Sequence, residues 1–94
     1  MSRDSLAKPY AKALYLVAEE AGVLPRIQQE FAQWITLLKE EPKAFLLLTH
    51  PHVETEDKKE IIRSLMEGAH PHLLHFLYVM IDHGREKLFE KVYI

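Results

Sequence analysis

Histidine is the residue of this sequence best suited to chemistry, because imidazole binds metals and exchanges protons near neutral pH. The 94 residues include six histidines, in His50-Pro51-His52, in His70-Pro71-His72, and at His75 and His83. A zinc site needs three or four convergent ligands. Two imidazoles separated by a proline do not share one helix face, and cysteine is absent. We therefore expect no metal site, and we expect histidines that cap helices or face solvent.

The acidic residues do not form a pattern typical of an active site. Glu56, Asp57 and Glu60 open a predicted helix, where acids interact favourably with the helix dipole. No serine or cysteine nucleophile stands beside a histidine, as nucleophilic catalysis would require. The three glycines are far apart, so the glycine-rich loop that cradles phosphate is missing. We expect neither catalytic nor cofactor-binding residues.

The composition is typical of one globular domain spanning residues 1–94, with 48% hydrophobic and 28% charged residues. A net charge of −2 with both signs interspersed provides no basic surface for nucleic acid. The apolar runs are too short to span a bilayer, so we expect no direct membrane insertion. The absence of cysteine leaves the compartment open, and the first residues lack the pattern of a secretory signal.

Prolines, glycines and capping residues divide the chain into six predicted helices and no strand. The predicted helices lie between the following residues: Asp4 or Ser5 and Gly22, Pro25 and Glu40, Lys43 and Thr49, Thr55 and Gly68, Pro71 and Gly84, and Arg85 and Ile94. Pro9 is expected within the first turn of its helix, and Thr55 is expected to cap the fourth. The third helix is apolar all round and is expected to be buried. Short loops between these helices predict an all-α bundle.

The first helix is apolar over more of its circumference than one core contact requires. One stripe is rich in small residues and suits the inner face of a tight bundle: Ala7, Ala11, Leu14, Ala18 and Ala21. A second apolar stripe lies beside it: Leu6, Tyr10, Ala13 and Val17. Either another helix of the same domain buries this second stripe, or it is a docking face for another chain. The fifth helix also has a wide apolar face, and Val79 stands among its polar residues.

Three segments, in this order, resemble the N-terminal domain of the delta subunit of bacterial ATP synthase, whose mitochondrial counterpart is the oligomycin-sensitivity-conferring protein. They are Pro9-Tyr10-Ala11-Lys12-Ala13-Leu14-Tyr15 with Ala18, Leu46-Leu47-Leu48-Thr49-His50-Pro51-His52-Val53 followed by Lys58-Lys59, and a helix ending Asp82-His83-Gly84-Arg85. The resemblance covers nearly the whole chain. The sequence departs from the family at His50, where asparagine is commoner, and in the histidine-rich start of the fifth helix.

The resemblance implies a six-helix bundle on top of the catalytic head of ATP synthase. In this family a groove between helices one and five receives the N-terminal helix of an alpha subunit, and a separate C-terminal domain meets the b subunits of the peripheral stalk. Because the helical pattern continues to Ile94, we expect such a domain to follow. The implied role is a non-catalytic stator component, peripheral on the cytoplasmic face of the bacterial inner membrane. The alternative is a stand-alone helical adaptor that binds an amphipathic helix.

Together, the resemblance and the helical pattern predict which residues form the partner-binding groove. These are Leu6, Tyr10, Ala13, Leu14, Val17, His75, Tyr78, Val79 and Asp82. The apolar anchors of a bound helix would lie on Tyr10, Ala13, Val17 and Val79. The polar residues would fix its register at the rim.

The lack of a ligand pattern leads to a first prediction. The isolated chain should be a monomer with a strongly helical circular dichroism spectrum and no metal requirement. Adding EDTA should leave its cooperative thermal unfolding unchanged, because its helices have their own start and stop residues and no metal closes the fold. Loss of the cooperative transition in EDTA would contradict this prediction.

Overall fold

The computed structural model describes residues 3–92, with side chains from residue 5 onward. It contains five α-helices and a 3-10 helix: α1 (Arg3–Glu20), α2 (Leu24–Glu40), α3 (Pro42–Thr49), α4 (Thr55–Leu65), α5 (Pro71–Asp82) and the 3-10 helix (Glu86–Lys91). Residues 3–92 include no strand, so the predicted all-α fold with six helical segments is confirmed. Within the same range no helix is both long and apolar enough to cross a membrane.

One face of α2 forms much of the core. Ile27, Phe31, Trp34 and Leu38 recur at helical spacing, and all four are buried. Trp34 is fully buried, with its ring edge-on to that of Phe89 in the 3-10 helix at a centroid distance of 5.5 Å. Burying each large side chain of this kind contributes about 1.5–3 kcal/mol. The indole of Trp34 therefore lies in the core and not at the surface.

The two stripes of α1 have different surroundings. Ala7, Leu14 and Ala18 are buried where α1 packs on α2, α5 and the 3-10 helix. In the second stripe, by contrast, Leu6 and Val17 keep 38% and 42% of their surface exposed. Within residues 3–92, α5 covers Tyr10 in part, with the Tyr10 ring edge-on to Phe76, whereas Ala13 is exposed like Leu6 and Val17. The interpretation that another helix of the domain buries this stripe is therefore wrong for Leu6, Ala13 and Val17 within the part of the chain that the structure describes.

The start of α1 differs from the prediction. The helix already includes Arg3, so Ser5 lies inside it and not at a cap, and the side chain of Asp4 is outside the described part. Pro9 is consequently in the second turn, where a proline removes one intrahelical hydrogen bond. The predicted cap of α4 is also wrong, because Thr55 is the first helical residue and the cap position is Glu54, without a side-chain hydrogen bond.

The third and sixth predicted helices form, but not as expected. Only Leu48 of α3 is buried, and Leu46 and Leu47 are 63% and 46% exposed. The last segment is a 3-10 helix and not an α-helix; 3-10 helices are frequent as connectors, but most run for only about three or four residues. It still buries Leu88 and Phe89, and Val92 follows it in the core. Tyr93, predicted on the same helix, lies outside the described residues.

The C-terminal end of α5 is set by Gly84. Its φ is +68°, in the left-handed region that favours glycine. The Gly84 N–H donates to the Ile81 carbonyl at 3.0 Å, and the Arg85 N–H donates to the Met80 carbonyl at 2.8 Å. These two bonds form a Schellman motif. They end α5 and turn the chain into the 3-10 helix.

The N-terminal end of α5 is held by Glu30 of α2. Glu30 Oε1 accepts from the His70 backbone N–H at 2.8 Å, and Oε2 accepts from Arg26 Nε at 2.9 Å. Arg26 also donates to the Gly68 carbonyl at 3.3 Å. Burial by itself would raise the pKa of Glu30, but the His70 N–H and the Arg26 guanidinium together hold this pKa below its ordinary value. The carboxylate therefore stabilises the fold while it is charged.

Gly84→Ala should destabilise the domain by roughly 1 kcal/mol or more. A β-carbon at this position would have no heavy atom within 4 Å, so the cost comes from the backbone conformation and not from a clash. Gly84→Asn is the matched control and should lose less stability than Gly84→Ala, because asparagine tolerates positive φ better than alanine does. Urea unfolding measures both changes. Equal stability of Gly84→Ala and the wild type would show that α5 does not depend on this conformation.

Glu30→Gln should lower stability at neutral pH by about 1–2 kcal/mol and should remove part of the acid sensitivity. Because the folded-state pKa is lowered, the contribution of Glu30 is complete above the ordinary glutamate value of about 4.3 and is lost as the pH falls through the folded-state pKa. Glu90→Gln makes the same change at an exposed site and serves as control. Urea unfolding at several pH values tests this. If the free energy of unfolding of Glu30→Gln and of the wild type depended on pH in the same way, the stabilising role of the Glu30 carboxylate would be refuted.

Candidate functional site: a groove between α1 and α5

A groove of about 690 Å³ opens between α1 and α5. Its lining is mostly apolar, with a few polar side chains. The lining residues are Ser5, Leu6, Pro9, Tyr10, Ala13, Leu14, Val17, His72, His75, Phe76, Val79, His83 and Arg85. Leu14 and Phe76 are buried and form the floor. The exposed Leu6, Ala13 and Val17 form the α1 wall. This arrangement fits an occupant that brings apolar side chains of its own.

The structure brings together most of the residues that the sequence predicts for the groove. The residues that line it are Leu6, Tyr10, Ala13, Leu14, Val17, His75 and Val79. Tyr78 and Asp82 are not among the lining residues. Tyr78 is half-buried against the core, and Asp82 Oδ1 pairs with Lys59 Nζ of α4 at 2.8 Å. Asp82 follows His75 by seven residues and so lies near the edge of the groove side of α5, but neither residue is in the lining, and a role for them in binding stays a prediction.

Six residues of the lining are not among those that the sequence predicts for the groove. These are Ser5, Pro9, His72, Phe76, His83 and Arg85. A signal for two of them is present in the spacing, because His72, His75, Val79 and His83 recur every three or four residues and so share one side of α5. Phe76 also lies four residues after His72 and three before Val79, but an apolar side chain at that spacing is equally typical of the core.

Tyr10 joins the two walls of the groove. Its hydroxyl lies 2.9 Å from His83 Nδ1 at the end of α5, and its ring meets Phe76 edge-on at a centroid distance of 6.4 Å. If His83 Nδ1 carries no proton, it accepts from the hydroxyl; if Nδ1 is protonated, it donates to the hydroxyl oxygen. The contact fixes one end of α1 against α5 and so limits the width of the groove.

The histidines of the two His-Pro-His segments act locally. His70 Nδ1 accepts from the His72 N–H at 3.0 Å and caps α5. His50 Nδ1 accepts from the His52 N–H at 3.1 Å in the same way. The expectation that such histidines cap helices is confirmed at His70. Among the described side chains, no three histidine, cysteine or acidic residues converge as a metal site would need.

Comparison with known proteins shows the family of this chain. Residues 6–94 match the family model of the ATP synthase delta (OSCP) subunit. The chain is 32% identical to ATP synthase subunit delta of Gloeothece citriformis over 93% of its own length and 48% of that protein. For the subunit delta of Bacillus pumilus the identity is 28%, over 98% of this chain and 51% of the relative. Alkaliphilus oremlandii has a subunit delta that is 34% identical over 88% of this chain and 47% of the relative.

The chain thus spans about half the length of the curated relatives it matches. The matched part includes all the described residues of the groove except Ser5. The resemblance inferred from the three sequence segments is confirmed, since the family match extends over nearly the whole chain. On these grounds, this chain belongs to the ATP synthase delta (OSCP) subunit family.

Proposed function

We propose that this domain is a non-catalytic stator component of ATP synthase, and that it binds the N-terminal helix of an alpha subunit in the groove between α1 and α5. The observation that carries the proposal is the exposed apolar stripe of α1 facing α5 across the groove. A stator must hold the catalytic head still while the central rotor turns. For this task the domain needs a firm attachment to the head and no chemistry of its own.

An amphipathic helix is the occupant that best matches this groove. Helix-in-groove recognition uses anchors that recur every three or four residues along an apolar trough. Leu6, Tyr10, Ala13 and Val17 recur at that spacing on α1, so a bound helix would find contacts along several turns. Ala13 has a small side chain and is exposed, which allows another backbone to approach closely. Val79 on α5 provides an apolar contact from the opposite wall.

The energetics favour an interface with several anchors. One buried leucine-sized side chain contributes about 1.5–3 kcal/mol. Association costs roughly 4–15 kcal/mol, because the two partners lose translational and rotational freedom. A single anchor would therefore not hold a partner. Three or four anchors along the stripe, with the floor already formed by Leu14 and Phe76, can exceed this cost.

The remaining partners and the location follow from the same proposal. We assign contact with the b subunits to a C-terminal domain of the full-length subunit, and not to the groove. The complete subunit would lie peripherally, on the cytoplasmic face of the bacterial inner membrane. A stand-alone helical adaptor would use the same groove, but its gene would not stand among genes for other ATP synthase subunits.

Ala13→Trp should block binding and spare the fold. The indole would fill the groove, but residue 13 is exposed, so the core would not be overpacked. Affinity for a peptide copying the alpha-subunit N-terminus from the same genome should fall by about tenfold or more. Val79→Asp should weaken binding through an unpaired charge. Calorimetric titration measures the affinity, and a melting curve checks that each variant is folded.

The matched control is Ala32→Trp, which makes the same change at an exposed position of α2 outside the groove lining. It should bind the peptide as the wild type does. A folded Ala13→Trp variant with full affinity would place the interface elsewhere on the domain.

A further inference from the structure

The ionisable side chains at the α5 edge of the groove are all basic. His72, His75, His83 and Arg85 all lie at its α5 side, and none of the described lining residues is an acid. The whole chain nevertheless has a formal net charge of −2. The excess of basic groups is therefore a local property of this edge. Three of these four groups are imidazoles.

Three acids on and around α5 pair with basic groups and do not line the groove. The pairs are Asp82 with Lys59 of α4, Glu86 of the 3-10 helix with Lys58 of α4, and Glu30 of α2 with Arg26 and the His70 N–H. None of these three carboxylates is among the described residues of the groove lining.

Among the side chains of α1 that the structure describes, from residue 5 onward, none supplies a carboxylate to the lining either. Tyr10 is the titratable side chain of α1 in the lining, and it already contacts His83. Lys8 and Lys12 are exposed and do not line the groove. Glu20 lies one turn beyond Val17 on the same helix, is also exposed, and is not a lining residue.

We infer that the helix bound in this groove carries at least one carboxylate on its edge facing His72 and His75, and that its binding tightens as the pH falls below neutral. This inference rests on the proposed function, because it names the chemistry of the partner for that same groove. Its basis is charge complementarity: an apolar trough with a basic edge on one side best fits an amphipathic helix with acids beside its apolar stripe.

The direction of the pH effect follows from linkage. A bound carboxylate near an imidazole favours the protonated imidazole, so the complex takes up protons that the free domain does not hold. Acidification then favours the complex over the free domain. For exposed pairs of this kind, the affinity should rise by roughly threefold to tenfold between about pH 7.5 and about pH 6. The effect should shrink at high salt, because exposed charges are screened.

The test uses the alpha-subunit N-terminal peptide from the same genome and a second peptide in which every Glu and Asp is replaced by its amide. Calorimetric titration gives the affinity of each peptide at both pH values for the wild type, for the double variant His72→Gln/His75→Gln, and for His52→Gln. His52 is a histidine outside the groove lining, so it is the matched control. Circular dichroism at the lower pH checks that each protein is folded.

The expected result is a threefold to tenfold tightening of the acidic peptide on the wild type and on His52→Gln, with little change for the amide peptide or the double variant. Equal tightening of both peptides, unchanged tightening in the double variant, or an alpha-subunit peptide without any acid would overturn the inference while leaving groove binding intact. Absence of binding at either pH would overturn the proposed function and this inference with it.

Discussion

The close packing of α1 through alanines is the constraint on which the rest of the structure depends. Ala7 and Ala18 are almost completely buried, at 1% and 0% exposure, where α1 meets α2, α5 and the 3-10 helix. Small side chains let these elements approach one helix closely. Because one narrow stripe satisfies the core, Leu6 and Val17 of the neighbouring stripe remain exposed. A larger residue on the inner stripe would displace α1 and change the groove.

The second wall of the groove, α5, is fixed at both of its ends. Glu30 holds the first turn through the His70 N–H, and Gly84 ends the helix in a Schellman motif. The Tyr10–His83 contact then ties the end of α5 to α1. In addition, the buried ion pair between Lys58 Nζ and Glu86 Oε1, at 2.9 Å, joins α4 to the 3-10 helix that follows α5. A groove with walls fixed in this way would lose little conformational freedom on binding the proposed helix, which would favour affinity.

Local patterns in the sequence were sufficient to predict the helices, the end of α5 at Gly84, and the α1 wall of the groove. They were not sufficient for the α5 wall, because helical periodicity identifies a polar face but not which of its edges meets another helix. Asp82 shows this, since its partner Lys59 is distant in sequence. The exposure of Leu46 and Leu47 has a similar cause: an apolar run predicts burial, whereas α3 contacts its neighbours through one side only. The 3-10 form of the last helix has no periodic signal either.

The most direct test of the account is an NMR titration of the ¹⁵N-labelled domain with the alpha-subunit N-terminal peptide. We predict that the largest amide shift changes occur at Ala13, Val17 and Val79, on the two walls of the groove. The Trp34 indole should change little, because it is buried against Phe89 in the core. Large changes confined to the exposed Leu46 and Leu47 of α3, with the groove amides unmoved, would contradict the account.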